Sequence, residues 1–239
     1  MKHRRRKLKI IAWIIASAGV LLVALAVTGW LSFQRIPSWY KPMLVAGRDL
    51  DGIRNSLPNT YQALADQAIR GEPFDFSIAS STVTAWLVAR DSLYPESRDW
   101  MPGWIRDPVV AFGDDRAIVG ARVARGRWQA IVGLHLVAEV NDDWVTVRVE
   151  KVTAGALPVP SRWITETVRE SLSAHRIRTD KVPASLVEAI RQLQTDPQSV
   201  FSRGLRIGNW FDIKNGNRHV RIQRIWTDGD QLWLRLEPF

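Results

Sequence analysis

Residues able to do chemistry are few in this chain, and they are scattered. Asp114-Asp115 and Asp142-Asp143 are paired carboxylates of the kind that share a proton or hold a cation. Both pairs fall between apolar runs, where Asp bonds its own backbone and makes a turn, and that use accounts for them without catalysis. His135, His175 and His219 each lack a His, Cys or carboxylate partner at metal-ligand spacing. Ser80-Ser81-Thr82 offers hydroxyls but no Gly-x-Ser-x-Gly elbow, so a helix cap explains it. Neither a Gly-x-x-x-x-Gly-Lys loop nor a Gly-x-Gly-x-x-Gly fingerprint occurs. Cysteine is absent, which removes disulfides, thiolate metal sites and a Cys nucleophile. The expectation is a non-enzymatic module without cofactor or metal. A hydrolase would need His135 or His219 brought to a Ser and a carboxylate in one cleft.

Tryptophan is the unusual residue. Ten of the twelve lie outside the apolar N-terminal run. Trp86 and Trp163 sit on apolar helix stripes and are expected in the core. Trp144, Trp226 and Trp233 are expected on the sheet face opposite the nearest apolar alternation, a face covered by helices, a ligand or the bilayer. Trp100, Met101 and Trp104 surround Pro102-Gly103, a dipeptide that favours a tight turn. This segment is either an apolar lip touching membrane or ligand, or a loop folded over the core edge.

The N-terminus determines where such a module sits. No charged side chain occurs from Ile10 to Phe33, and at about 1.5 Å per residue this run reaches roughly 36 Å, enough for a ~30 Å hydrocarbon layer. Trp13 and Trp30 lie near its ends, where indoles favour the interface, as do Trp39 and Tyr40 just beyond it. The basic residues of 1–9 place the N-terminus inside and the bulk of the chain outside. A cleaved signal peptide would have a shorter apolar region and a small-residue cleavage site, which Thr28–Phe33 does not supply. The expected organisation is a cytoplasmic tail (1–9), a transmembrane helix in the inner membrane (10–33), a juxtamembrane connector (34–45) and an extracytoplasmic domain (46–239). Gly-x-x-x-Gly is absent from the helix, so the sequence gives no sign of dimerisation through it.

The net charge of +9 belongs mostly to that tail. Six of the 33 basic residues precede Ile10, which leaves 27 against 24 acidic residues. So balanced a domain is a poor match for a phosphate backbone, and nucleic acid is not an expected partner. Apolar residues at 46% supply a sizeable core.

Along the outer segment, Leu50, Ile53 and Leu57 predict a short helix stopped by Pro58. Asn59 or Thr60 would cap a second, carrying Tyr61, Leu64, Ala68 and Ile69 and ending at Gly71. Phe74, Phe76 and Ile78 alternate as a strand, and a helix with Val83, Trp86 and Leu87 follows. After a loop over 93–107, period-two runs at 109–112, 116–124, 128–140 and 145–150 are joined by tight turns, which predicts an antiparallel meander. Helices are expected from Ser161 and from Pro183. Strands at 210–213, 220–226 and 232–236, with turns at Asn215-Gly216 and Asp228-Gly229, predict a C-terminal hairpin. The fold class expected is α+β: a transmembrane helix, then an antiparallel β-meander packed with several helices and a C-terminal β-hairpin.

Several segments carry a resemblance: Pro73–Ile78 followed by the helix from Ser80 to Arg90, Val109–Asp115 opening a meander, and Gly155–Pro160 leading into a helix. Val220–Ile222 and Leu232–Leu236 close the chain in the same manner. This order resembles the YpmS-like family of small bacterial membrane-anchored proteins. The resemblance covers about two-thirds of the outer domain. It implies an elongated sheet-and-helix module that binds lipid in an apolar groove. It implies no catalytic residues, and Thr84-Ala85-Trp86 departs from the family pattern, which has an Asn near the middle of that helix. The functional expectation is a membrane-tethered module binding lipid or another envelope component. The alternative is an assembly or scaffold subunit that binds a partner protein at the membrane surface.

Overall fold

The computed structural model describes residues 19–44, 49–93, 101, 103–126, 128–160, 191–192, 195–213 and 218–239. Trp13, Trp100, Trp163, His175, the helices expected from Ser161 and Pro183, and the Asn215-Gly216 turn lie outside these residues. The chain has an α+β fold with two antiparallel sheets and a few helices.

The first described element is a helix over residues 19–34, here α1. Its apolar side chains face outward: Val20 is 70% exposed and Leu22 67%. Among the described residues no helix is long and apolar enough to cross a membrane. The expected span of 10–33 is thus not seen as a whole, because its first nine residues lie outside the description.

Helix α2 (Leu50–Ile69) runs through Pro58, so one helix replaces the two expected, and Thr60 is internal rather than a cap. Proline removes one backbone bond, the one that would reach the Arg54 carbonyl. The Ser56 and Thr60 hydroxyls bond back to the carbonyls of Ile53 and Ser56, each at 2.7 Å. Packing decides the outcome: Leu64, Ala65 and Ala68 are anchored on a sheet, and such tertiary burial outweighs local propensity. The Trp86 indole also donates to Ser56 Oγ at 2.8 Å.

That sheet, sheet A, comprises β1 (Phe74–Ala79), β8 (Trp210–Ile213), β9 (Arg218–Asp228) and β10 (Gln231–Pro238) in the order β1-β10-β9-β8. The predicted hairpin is its centre. Its inner face gathers Phe74, Phe76, Phe211, Ile213, Val220, Ile222, Leu234 and Leu236 against α2. Trp226 and Trp233 are register partners on the opposite face and stack with centroids 6.0 Å apart.

Sheet B is the meander: β2 (Ile105–Gly113), β3 (Arg116–Arg125), β4 (Trp128–Val140) and β5 (Trp144–Ala154). Two short strands, β6 (Leu157–Pro158) and β7 (Leu205–Gly208), pair with opposite ends of β5. Its turns are as expected from the sequence. Asp114 and Asp115 both have positive φ, and Asn141 Oδ1 accepts from the N–H groups of Asp143 and Trp144. The alternation in β4 becomes apolar cross-strand rows: Val110–Val119–Leu134–Val152, Phe112–Ala117–Leu136–Val149 and Ala121–Val132–Ala154–Leu157.

The edge at β2 is closed by α3 (Ser80–Leu93). Thr84 Oγ1 accepts from the Val110 N–H at 2.9 Å and donates to the Val110 carbonyl at 3.2 Å, so one side chain satisfies both outward ladder groups. A short helix, α4 (Pro197–Arg203), is capped by Asp196 and precedes β7. The chain then passes from sheet B to sheet A through a single residue, Asn209. Its buried amide donates to the carbonyls of Asn141 and Ile222, while its Oδ1 accepts from the Ile222 N–H at 3.0 Å.

Candidate functional site

Sheet B has two ends. At one, the turns at 113–116 and 141–143 meet sheet A. The other receives α1, and here the connector and the expected aromatic contact residues come together.

The last turn of a helix leaves carbonyls without intrahelical partners. The Ser32 carbonyl of α1 accepts from the Ala156 N–H at 2.9 Å, in the β5–β6 turn. Gly155 makes the approach possible: its φ is +59°, and a Cβ there would stand 2.3 Å from the Phe33 carbonyl oxygen. Only glycine fits that point.

From α1 the connector folds back along the sheet. Trp39 lies on the cross-strand row Val109–Gly120–Gly133–Thr153. A Cβ on Gly120 would be 2.2 Å from the indole, and one on Gly133 2.6 Å from it. The paired glycines therefore form a slot with the thickness of an aromatic ring. Tyr40 is buried at 4% exposure with Val109 and Ile131, and its hydroxyl donates to the Asp107 carbonyl at 2.9 Å. Burial raises the Tyr40 pKa above its usual value, with the nearby Asp107 charge adding to it. Trp39 and Tyr40, expected at headgroup level, thus pack on sheet B. Sheet B presents a glycine slot and an apolar floor, and burying aromatic surface there is favourable.

Beside this strap lie two polar groups without a partner among the described residues. They are Thr153 Oγ1 and both ring nitrogens of His135. His135 is held below its usual pKa, first by burial and then by the charges of Lys151 and Arg116. The Glu150 charge opposes this shift, and among the described residues no Ser bonds either ring nitrogen.

The second aromatic segment lies at the same end. The Trp104 carbonyl accepts from the Ala124 N–H at 2.9 Å, which extends the β2–β3 ladder, and Met101 and Trp104 are half-buried. Next to them Arg106 is exposed, and Arg122 pairs with Asp107 at 3.3 Å. Trp30, 43% exposed, stacks on Phe33 at 6.2 Å. Trp104, Met101 and Arg106 thus lie at the end of sheet B that also receives α1. One signal of the slot is present in the sequence, the glycines of β3 and β4 inside strong strand patterns, where close approach by another group is a common reason for Gly. Among the described residues no three His, Asp or Glu side chains gather as a metal site.

Comparison with known proteins gives no match. No family model, no curated protein and no solved structure matches the chain.

Proposed function

We propose that this chain is a membrane-tethered, non-enzymatic extracytoplasmic module that binds a lipid or another envelope component on an apolar surface. Residues 10–33 cross the inner membrane, 1–9 stay in the cytoplasm, and the α+β domain stands outside with its Trp104 end against the bilayer. The observation that carries this reading is the helix over 19–34. Its apolar side chains are exposed, yet its C-terminus is bonded into sheet B rather than left on a loose linker. A helix clad in exposed Val and Leu calls for a lipid environment.

The apolar rows of sheet B supply the binding surface. Val119, Val132, Leu134, Leu136 and Val149 are only half-buried, so an acyl chain laid across them would gain roughly 0.8 kcal/mol per buried CH₂. The resemblance to YpmS-like proteins belongs to this proposal and fits it. Native mass spectrometry of the full chain released from its own membrane tests the reading. Co-purifying phospholipid is expected, and a lipid-free protein that takes up none from vesicles would overturn it.

One observation favours a second reading, a scaffold subunit at the membrane surface. Met101, Trp104 and Arg106 form an aromatic and basic rim, a composition enriched where proteins bind proteins. Crosslinking in intact cells separates the two, since a stoichiometric protein partner at this rim supports the scaffold and lipid alone supports the first reading.

A further inference from the structure

At the other end of sheet B, roughly 40 Å along β4 from the anchor at about 3.4 Å per residue, the two sheets share an aromatic surface. Trp144 of β5 is the register partner of Gly208 in β7, so its side chain stands on the side to which a Gly208 Cβ would point. The Trp210 indole Nε1 lies 4.0 Å from that same position. Both tryptophans therefore rise from one side of the junction with a bare glycine between them, Trp144 being 41% and Trp210 55% exposed. His219 meets Trp210 edge-on at 6.1 Å and Phe239 at 5.6 Å, and Phe239 is 60% exposed.

Charged groups sit among these rings, and they are already paired. Asp212 bonds His219, and Arg221 bonds Glu237 at 2.6 Å and approaches Asp142 at 3.7 Å. Arg221 is the register partner of Trp210, so this polar cluster borders the indole directly. The Arg221 contact holds the Glu237 pKa below its usual value.

Two features decide what such a surface takes. The rings are interrupted by a glycine floor and by polar side chains, so among the described residues there is no continuous dry patch of the kind a protein partner needs at its centre. Asp142, Asp212 and Glu237 outnumber Arg221, which repels a polyanion, and each of these carboxylates already faces Arg221 or His219, which leaves a polycation no unpartnered one to pair with. What matches is a neutral ligand with alternating apolar faces and hydrogen-bonding edges. A pyranose ring has that chemistry: its C–H face stacks on an indole, and its hydroxyls bridge carboxylate and guanidinium.

We propose that Trp144, Trp210 and the Asp142–Arg221–Glu237 cluster form a binding surface for a neutral polysaccharide strand, held away from the membrane end of the domain. It uses neither the apolar rows of sheet B nor the Trp104 rim, so it stands apart from the lipid reading. The full chain in detergent micelles would be titrated with cellohexaose and with chitohexaose, following tryptophan fluorescence and calorimetric heat. At least one hexasaccharide is expected to bind, with affinity reduced tenfold or more in the W144A/W210A double variant. G208V, which fills the floor, should weaken it likewise, while W226F on the other part of sheet A leaves it unchanged. Circular dichroism and thermal transitions of each variant check that the fold is intact. Absence of binding by both hexasaccharides, or equal affinity in folded W144A/W210A, would overturn the proposal.

Discussion

Sheet A buries Phe74, Phe76, Ile222 and Leu236 beneath α2, a helix of the domain itself, whereas sheet B buries Val109 and Ile131 beneath Trp39 and Tyr40, which belong to the connector. The first cover is amphipathic and long, with small residues, Ala65 and Ala68, at the closest contacts. The second is two aromatic rings on an extended strap, and the small residues are in the sheet, at Gly120 and Gly133. Close packing requires that one partner yield space, and the two layers yield it from opposite sides. The consequence is functional. Sheet A is complete within the domain, while sheet B is completed by the segment that leads to α1, so the domain's orientation relative to that helix is built into its own core.

The largest expected effect comes from breaking the joint between the two regions. Asn209→Ala strands the Ile222 N–H and carbonyl and the Asn141 carbonyl, and buried polar groups left unpaired cost about 1–3 kcal/mol each. A loss of about 3–5 kcal/mol is expected, read as a fall in the thermal midpoint with both sheets affected. A fall confined to a few tenths of a kcal/mol would mean that the sheets are joined elsewhere.

An intermediate effect separates the two covers. Gly133→Val occupies the indole slot and should destabilise by about 1–3 kcal/mol, with Trp39 fluorescence shifted toward that of a wet indole. A substitution on sheet A's outer face, such as Ser77→Val, should leave that emission in place. If Gly133→Val keeps a buried Trp39 signal, the slot is wider than the structure gives.

The smallest effect concerns pH. The unfolded chain takes up the His135 proton near the ordinary value of about 6.5, and the folded chain does so only at lower pH. Between the two the unfolded state binds the extra proton, so stability is complete above about pH 6.5 and falls as pH drops below it. His135→Asn is expected to flatten that slope, measured by urea unfolding at pH 7 and pH 5. An unchanged slope would place the titration on other groups.

Much of this architecture was legible in the sequence, and the parts that were not share a physical cause. The β4 alternation, the Asp114-Asp115 and Asp142-Asp143 turns and the Asp228-Gly229 hairpin are local patterns, and local patterns survive folding. Pro58 misled because its cost, a lost hydrogen bond and a ring clash with the Arg54 carbonyl, is outweighed by the burial of α2. The pairing of β1 with β10 joins residues more than 150 positions apart, and no periodicity encodes a partner at that distance. Trp39 and Tyr40 were readable as membrane-interface residues because an aromatic pair after an apolar run has that meaning in isolation. The slot that takes Trp39 is made by Gly120 and Gly133, which become neighbours only when β3 pairs with β4. For the candidate site, the residues at the end that receives α1 were legible one by one, but not their common location. Trp104 joins that end only because its carbonyl extends the ladder to Ala124.

Hydrogen exchange on the full chain in a lipid nanodisc, wild type against Trp39→Ala, tests the central claim that the connector is part of the domain's core. Trimming this half-buried indole is expected to cost roughly 2–3 kcal/mol. The account predicts that amides of β3 and β4 around Gly120 and Gly133, and the Ala156 N–H that bonds α1, lose protection by tenfold or more. The β9–β10 amides under α2 keep theirs. Equal protection of sheet B in the two proteins would contradict the account and make the connector a mere tether.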